Sequence, residues 1–182
     1  NIPTHGSIQY HPSLLPAYRG ASAINWPIIK GEKETGLSIF WPDNGLDTGD
    51  VLMQKKTPIS STDTLGTVYF DRLFPMGVEA MLEAADLVVA SRHREVVQDE
   101  SKASYEGWFR EAEARINWSN HVDAIHDTIR GADPAPGAWT TRGRRPARSR
   151  ACSPPPTATC SKAGWRTMRC STMTTSGWPP SE

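Results

Sequence analysis

The chain has 182 residues, of which 37% are hydrophobic and 22% charged, and its formal net charge is zero. This length suits one domain of ordinary size, or one domain with a fragment of another, and can bury a sizeable core. No apolar run approaches the roughly 18 residues that a membrane helix needs, and "NIPTHGSIQY" lacks the basic region and apolar core of a signal peptide. We therefore expect no membrane partner and a cytoplasmic protein.

The charge is unevenly distributed between two regions. Residues 1–140 hold 12 Lys and Arg against 19 Asp and Glu, whereas residues 141–182 hold 8 against 1, so their net charges are −7 and +7. The second region contains all three cysteines, with no CxxC pair, and has no Leu, Ile, Val, Phe or Tyr. Such a segment has almost nothing to bury against the entropy of folding. We favour an out-of-frame origin over a genuine disordered tail, and a nucleic-acid-binding arm is the third alternative.

The first predicted elements present a histidine at the end of a strand. "SIQY" is typical of a short strand, and Pro12 restricts the preceding His11 to extended backbone at its end. "GASAINWPIIKG" predicts a short helix that starts near Ser22, holds Pro27 in its first turn or at a kink, and stops at Gly31.

Two strands joined by a turn follow. "GLSIFW" and "DVLMQKKTPI" are rich in apolar and β-branched residues, and "PDNGLDTG" between them supplies the Pro, Asn and Gly of a turn. This pattern places Asp47 in a tight loop between two strands. Strands alternating with helices indicate an α/β domain, with the hairpin at 43–50 as a local antiparallel pair.

Helical patterns dominate the remainder up to residue 140. "DTLGTVYFDRLFPMGVEAMLEAADLVVA" repeats apolar residues at helical spacing, with Ser61 or Thr62 as a cap and a kink or break at Pro75. Residues 92–115 are polar and lack apolar periodicity, which predicts a linker. "INWSNHVDAIHDTIRGADPAPGAW" then opens a second unit with a helix that ends at Gly131.

The signatures of several enzyme classes are absent. There is no GxGxxG, Walker or GxSxG motif, which argues against dinucleotide binding, phosphate cradling and the usual serine hydrolases. The five histidines include neither HxxxH nor HExxH, so we expect no metal. Spacing alone favours a strand-end role for His11 and a turn cap for Asp47, and leaves catalysis open as the alternative.

Two stretches resemble the folate-dependent formyltransferase family: "HPSLLPAYRGASAINWPIIKGEKETG" and "FWPDNGLDTGDVLMQKK". The motifs HPSLLP, RGA and GLDTGD occur in the family's order and at its separation. The resemblance continues through "INW", "AIHDTIRG" and "PGAW", and so covers about residues 1–140. "RGASAINW", "SIFW" and "PGAW" are most similar to the hydrolase domain of 10-formyltetrahydrofolate dehydrogenases and its bacterial relatives.

The resemblance also implies which residues form the site. It places the family's catalytic histidine on His11 and its catalytic aspartate on Asp47. Gln9 stands where many members have an asparagine two positions before the histidine, and its amide is the expected supporting group at the formyl oxygen. The loop that meets the folate through backbone groups falls on Asp43, Asn44 and Gly45. Asp47 is expected to bind the folate as well.

The implied activity is transfer or hydrolysis of the formyl group of 10-formyltetrahydrofolate in one-carbon metabolism. The folate is then the donor substrate, and the acceptor is water, an initiator aminoacyl-tRNA or another amine. A fused aldehyde dehydrogenase domain is a further expected partner in a parent protein. Two alternatives stay open: methionyl-tRNA formyltransferase activity of the parent protein, and a truncated, non-catalytic fragment.

The resemblance gives the expected fold and domains. We predict an α/β, Rossmann-like formyltransferase domain that holds the C-terminal half of its sheet, at residues 1–91. A linker at 92–115, the start of a barrel-like C-terminal domain at 116–140, and a disordered or out-of-frame tail at 141–182 follow. We expect that strands preceding Asn1 are missing and that the tail stands in place of the rest of the second domain.

Overall fold

The protein is described by a computed structural model that covers residues 3–141 and the backbone of residues 168 and 169. Apart from that short strand and residue 141, the tail for which an out-of-frame or disordered origin is predicted lies outside the described residues. The elements run in the order β1 Gln9–His11, α1 Asn25–Ile29, β2 Glu34–Phe40, β3 Val51–Pro58, a π-helix Thr67–Leu73, α2 Phe74–Val89, a 3-10 turn Glu100–Lys102, α3 Val122–Gly131, β4 Trp139–Thr140 and β5 Met168–Arg169.

The main sheet has β2 in its centre, between β1 and β3. Both pairings are antiparallel, and β4 and β5 form a separate antiparallel pair. The α/β prediction is confirmed in its coarse form, as a partial sheet with helices. Antiparallel pairing, predicted only for the hairpin, extends to every strand pair that these residues form.

Strand β2 is buried on both faces because each face is covered by a different part of the chain. Every residue from Thr35 to Phe40 is buried. Successive side chains of a strand point to opposite faces. Leu37 and Ile39 belong to the main core, which α2 and the π-helix complete from one side. Phe40 packs on the other side, in a smaller cluster with Leu15 and Val51.

Strand β1 directs its polar residues away from α2. His11 pairs with Ser38 across the sheet, and Gln9 pairs with Phe40. Gln9 and His11, two residues apart, therefore share the face opposite α2. Tyr10 points the other way, against Gly77 of α2. The strand alternation thus delivers both predicted site residues of β1 to one side of the sheet.

Helix α1 is shorter than its sequence pattern suggests. It begins at Asn25, and Ser22 does not cap it, because the Ser22 hydroxyl instead accepts a hydrogen bond from the Phe109 N–H at 2.9 Å. The predictions for the two other residues are confirmed. Pro27 lies in the first turn, where its missing N–H needs no partner, and Gly31 ends the turn with a φ of +74° that favours glycine.

The long helical stretch is divided at Pro75, as predicted. A π-helix precedes the break, and Pro75 occupies the first turn of α2. The predicted caps Ser61 and Thr62 are wrong. The π-helix has Gly66 at its N-cap and no side-chain cap, and one turn earlier the Thr64 Oγ1 accepts from the Thr67 N–H at 3.3 Å. Among residues 3–141, no helix is long and apolar enough to cross a membrane.

Residues 92–115, predicted as a linker and hereafter called the connecting segment, pair with the outer edge of β3 and with the loop after β1. Val96 and Val51 exchange two backbone hydrogen bonds of 2.9 Å. Further along, the Ser104 N–H donates to the Pro16 carbonyl, and the Ser104 carbonyl accepts from the Arg19 N–H. The segment therefore contacts both the loop after β1 and the start of β3. The domain boundaries themselves stay a prediction.

Helix α3 packs against α1. The Asn25 amide donates to the Gly131 carbonyl at 2.9 Å, and Arg130, which is buried, donates to the carbonyls of Ser60 and Asp63 at 3.0 and 3.1 Å. Trp26 and Ile29 of α1 pack against a second apolar cluster, whose buried members are Phe109, Ala114, Ile116, Ala132 and Ala138.

We predict that Leu37→Ala destabilises the chain by about 2–5 kcal/mol, because Leu37 is fully buried in the main core and its truncation leaves a cavity. Leu82→Ala is the matched control, since Leu82 lies on α2 with 65% of its surface exposed, and it should change stability by less than about 0.5 kcal/mol. Urea unfolding measures both. Equal losses for the two variants would contradict the placement of β2 at the centre of the fold.

Candidate active site

His11 is held at the end of β1 by groups on both ring nitrogens. Its Nε2 lies 2.9 Å from the Tyr18 carbonyl oxygen, and its Nδ1 lies 3.5 Å from Asp47 Oδ2. Only 5% of the residue's surface is exposed. Phe40 supports the ring edge-on, with centroids 6.5 Å apart. The two residues predicted as a catalytic pair are thus adjacent in space, although 36 positions separate them in the sequence.

The hydrogen-bond partners define which ring nitrogen carries a proton. A carbonyl oxygen only accepts, so Nε2 donates to Tyr18. Nδ1 therefore faces the Asp47 carboxylate either as a bare nitrogen or, in the imidazolium, as a second donor. Only the imidazolium satisfies both acceptors at once. The 3.5 Å separation is longer than the ~2.7–2.9 Å of a tight charged hydrogen bond, so a substrate oxygen can compete for the Nδ1 proton.

Asp47 adopts a backbone conformation that most residues avoid. Its φ is +56°, a left-handed value that costs a non-glycine residue about 1–2 kcal/mol and that Asp and Asn tolerate best. Its Oδ2 accepts from the Gly20 N–H at 2.9 Å. Oδ1 accepts no hydrogen bond from residues 3–141. The aspartate therefore keeps one acceptor oxygen that no described group uses.

A cleft of about 420 Å³ opens beside the pair. Its lining residues come from β1, the loop after it, the β2–β3 loop and the connecting segment: Gln9, His11, Pro12, Gly20, Ala21, Leu46, Asp47, Tyr105 and Trp108. Gln9, the predicted supporting residue, lines this cleft with an exposed side chain. A small concave site with a few convergent polar groups is the usual form of a ligand-binding site.

The remaining predicted residues lie at the tip of the β2–β3 loop, outside the lining of this cleft. Asp43, Asn44 and Gly45 are all exposed. Asp43 Oδ1 accepts from the Thr48 hydroxyl at 2.6 Å and from the Gly45 N–H at 2.9 Å. These bonds hold the pKa of the Asp43 carboxyl below its usual range. Asp43 thus shapes the loop through its side chain.

Two aromatic residues of the cleft were not predicted from the sequence. Tyr105 and Trp108 each expose 61% of their surface, and both come from the connecting segment. The Arg110 guanidinium lies 5.4 Å from the centre of the Trp108 ring. Sequence reasoning missed them because the connecting segment has neither helical nor strand periodicity. The available signal was the run "SYEGW", which concentrates aromatic residues in an otherwise polar segment.

A buried polar network lies behind Asp47. Arg19 donates to Gln98 Oε1 and forms a bidentate pair with Glu100, with Nη1–Oε2 at 3.0 Å and Nη2–Oε1 at 2.6 Å. The Glu100 hydrogen bonds raise the pKa of the Arg19 guanidinium, against the opposing effect of burial. Among residues 3–141 no three His, Cys, Asp or Glu side chains are grouped as a metal site requires.

Two sequence models of the formyl transferase family match the chain. The one described as "Formyl transferase" matches residues 1–85, and the one described as "Formyl transferase, C-terminal domain" matches residues 109–172. The chain belongs to the formyl transferase family. Residues 86–108, which carry Gln98, Tyr105 and Trp108, lie between the two matched regions.

Known proteins similar to the chain include two enzymes of different length. The human cytosolic 10-formyltetrahydrofolate dehydrogenase is 51% identical over 140 residues, which cover 77% of this chain and 16% of the dehydrogenase. The methionyl-tRNA formyltransferase of Syntrophus aciditrophicus is 44% identical over 140 residues, covering 77% of this chain and 45% of that protein. The chain therefore spans less than half of either relative.

A solved structure shares the fold. The crystal structure of an N-formyltransferase from Helicobacter canadensis, in complex with folinic acid and dTDP-3-aminofucose, superposes with a TM-score of 0.61 at 28% identity. The match covers 68% of this chain and 46% of that one. The described residues thus adopt part of a formyltransferase fold.

We predict that Gly20→Ala destabilises the site. Gly20 has a φ of +100°, and a Cβ there would lie 2.8 Å from Tyr105 Cε2 and 3.0 Å from the Glu106 carbonyl. Strain and the displaced connecting segment should cost about 1–3 kcal/mol. Gly107→Ala is the control, because a Cβ there meets nothing within 4 Å. Chemical denaturation compares the two variants, and equal stability would contradict the close approach at Gly20.

Proposed function

We propose that the protein moves the formyl group of 10-formyltetrahydrofolate to water or an amine, with His11 and Asp47 as the chemical pair. The observation that carries the proposal is the buried imidazole and carboxylate, 3.5 Å apart, at one cleft. Membership of the formyl transferase family supports the substrate class. The name of the 10-formyltetrahydrofolate dehydrogenase relative adds support for this folate as the donor.

The chemistry requires three events at one carbonyl. A nucleophile attacks the formyl carbon, negative charge grows on the formyl oxygen, and the bond to N10 breaks as that nitrogen gains a proton. His11 serves the second event. With Nε2 fixed to the Tyr18 carbonyl, its Nδ1 proton is the donor available for the developing oxyanion. A buried donor of this kind is stronger than one in water, because the local dielectric is low.

Asp47 serves the proton acceptance. Its Oδ2 faces His11 and accepts from the Gly20 N–H, which leaves Oδ1 to take the proton of an attacking water or amine. The protonated carboxyl then returns this proton to N10 as the bond between N10 and the formyl carbon breaks. The same carboxylate stabilises the imidazolium through its negative charge. With water as the acceptor the products are tetrahydrofolate and formate, and with an amine the product is a formylated acceptor.

The loop tip at residues 43–45 is proposed to meet the folate through backbone groups. Its exposure leaves it accessible. Asp43 Oδ1 is engaged within the loop by the Gly45 N–H and the Thr48 hydroxyl, and the exposed carbonyl groups of the tip are backbone contacts that it can offer. Gln9 is proposed to place its amide N–H at the formyl oxygen, from the same face as His11. Tyr105 and Trp108 also line the cleft, and their exposed rings are surfaces on which an acceptor or a ring of the folate can stack.

We predict that Asp47→Asn lowers the rate of formyl release from 10-formyltetrahydrofolate by at least about 100-fold, the usual contribution of a positioned base. Asparagine tolerates the left-handed backbone and still accepts from Gly20, so the change isolates the charge. Asp50→Asn is the control, because it removes a carboxylate from the same loop outside the cleft lining. Full activity of Asp47→Asn would refute the catalytic role.

The assay follows tetrahydrofolate, formate and formylated amine separately, so that it reports the acceptor. It compares the 182-residue chain with a version extended at both ends by the corresponding segments of the methionyl-tRNA formyltransferase relative. Activity of the extended version alone identifies the chain as a non-catalytic fragment. Inactivity of both versions contradicts the proposed function.

We predict a separate effect at Gln9. Gln9→Met keeps the length of the side chain but removes the amide, and should lower kcat by about 100-fold if the amide stabilises the formyl oxygen. Gln9→Asn retracts the amide by one methylene and should also change kcat. Stopped-flow measurement of tetrahydrofolate formation provides the comparison. Wild-type rates for both variants would show that Gln9 does not hold the formyl oxygen.

A further inference from the structure

We propose that Gln98 is a positioning residue that sets Asp47 against His11, an inference that rests on the proposed function of that pair. Gln98 lies in the connecting segment, between the regions that the two family models match. It does not line the cleft. Its effect on the reaction would therefore act through the loop that carries Asp47.

The Gln98 amide uses its full hydrogen-bonding capacity. Its Nε2 donates to the carbonyl oxygens of Asp47 and Gly49, at 2.9 and 2.7 Å. Its Oε1 accepts from Arg19 Nε and Nη2, at 3.3 and 2.8 Å. The residue is only 7% exposed. Both N–H donors and the oxygen of this buried amide are hydrogen-bonded. Loss of any partner would leave a buried polar group unsatisfied, so the geometry of the contact is specific.

The hydrogen bonds of Gln98 hold the β2–β3 loop at Asp47. Asp47 has its left-handed φ of +56°, and the four residues before it are exposed. Among residues 3–141, the only hydrogen bonds that reach Asp47 from outside its loop come from Gly20 and Gln98. Gly20 holds the carboxylate and Gln98 holds the main chain. The two bonds together set both the position and the direction of the side chain.

The same network ties the two halves of the site together. Arg19, which contacts Gln98 Oε1, directly precedes Gly20, whose N–H donates to Asp47 Oδ2. The Arg19 guanidinium is oriented by Glu100. The chain of contacts from Asp47 through Gln98 to Arg19 thus returns to Asp47 through Gly20. Because these contacts are continuous, a substitution of Gln98 should move the Asp47 carboxylate.

Gln98→Glu tests the two N–H donors of the Gln98 amide. A glutamate keeps the shape and the contact with Arg19, but it loses both N–H donors and turns an oxygen toward two carbonyl oxygens. Gln98→Met, which removes all four bonds without adding a charge, is the second variant in case the first fails to fold. Glu100→Gln is the control. It weakens the other partner of Arg19, a side chain that is 67% exposed, and leaves the bonds to the loop intact.

The first readout is the ¹⁵N NMR signal of the His11 ring in the 182-residue chain at neutral pH, with thermal melting as a check on folding. Asp47→Asn should move the Nδ1 signal. Gln98→Glu should move it in the same direction, and adding Asp47→Asn to Gln98→Glu should add little further shift. Wild-type His11 signals in folded Gln98→Glu and Gln98→Met overturn the proposal. An equal shift in Glu100→Gln also overturns it, because the effect would then belong to Arg19.

The second readout is the kinetics of formyl release, measured on the 182-residue chain or on the extended version, whichever is active. Gln98→Glu should lower kcat about 100-fold, the effect of displacing a catalytic group by about 1 Å, with KM for the folate little changed. The double variant with Asp47→Asn should be no slower than Asp47→Asn alone. Losses that multiply in the double variant overturn the proposal. If no form releases formyl groups, the proposed function fails, while the His11 signals still decide the role of Gln98.

Discussion

The geometry of the site depends on how one strained residue is held. Asp47 lies in a left-handed conformation at the base of a ten-residue connection between β2 and β3, where the backbone alone would not keep it. Its carboxylate accepts from the Gly20 N–H and its carbonyl accepts from the Gln98 amide. These two bonds come from segments that lie 27 and 51 positions away in the chain. Local sequence therefore permits the conformation, and distant contacts stabilise it.

The central strand explains why the site lies where it does. β2 has α2 on one face, and the loop after β1 covers the other through Leu15 and through Ser13, whose carbonyl accepts from the Ser38 hydroxyl. The apolar residues Leu37 and Ile39 fill the first face, so the second face is left for a mixed set of polar groups. His11 reaches this face through its pairing with Ser38. One strand thus separates the core that stabilises the domain from the cleft that carries the chemistry.

The outcome for individual residues shows which predictions local sequence supports. Pro75 divides its helix and Gly31 ends α1, as expected, because both residues act on their own backbone. Ser61 and Thr62 were predicted as caps and do not cap, and the helix predicted to start near Ser22 begins at Asn25, because a hydroxyl's partner depends on what lies nearby in space. Ser22 accepts from Phe109, 87 positions away. The polar segment from 92 to 115 has no periodicity, yet it supplies Gln98, Tyr105 and Trp108.

The sequence by itself determined the family, the strand and turn that carry His11 and Asp47, and the alternation that puts Gln9 beside His11. Those features follow from motifs and from the two-residue period of a strand, which are local properties of the chain. Only the tertiary structure decided that the imidazole meets the carboxylate at 3.5 Å, that Gly20 and Gln98 hold that carboxylate, and that the connecting segment forms one wall of the cleft. Contacts between residues tens of positions apart depend on how the whole chain packs, and no local pattern encodes them.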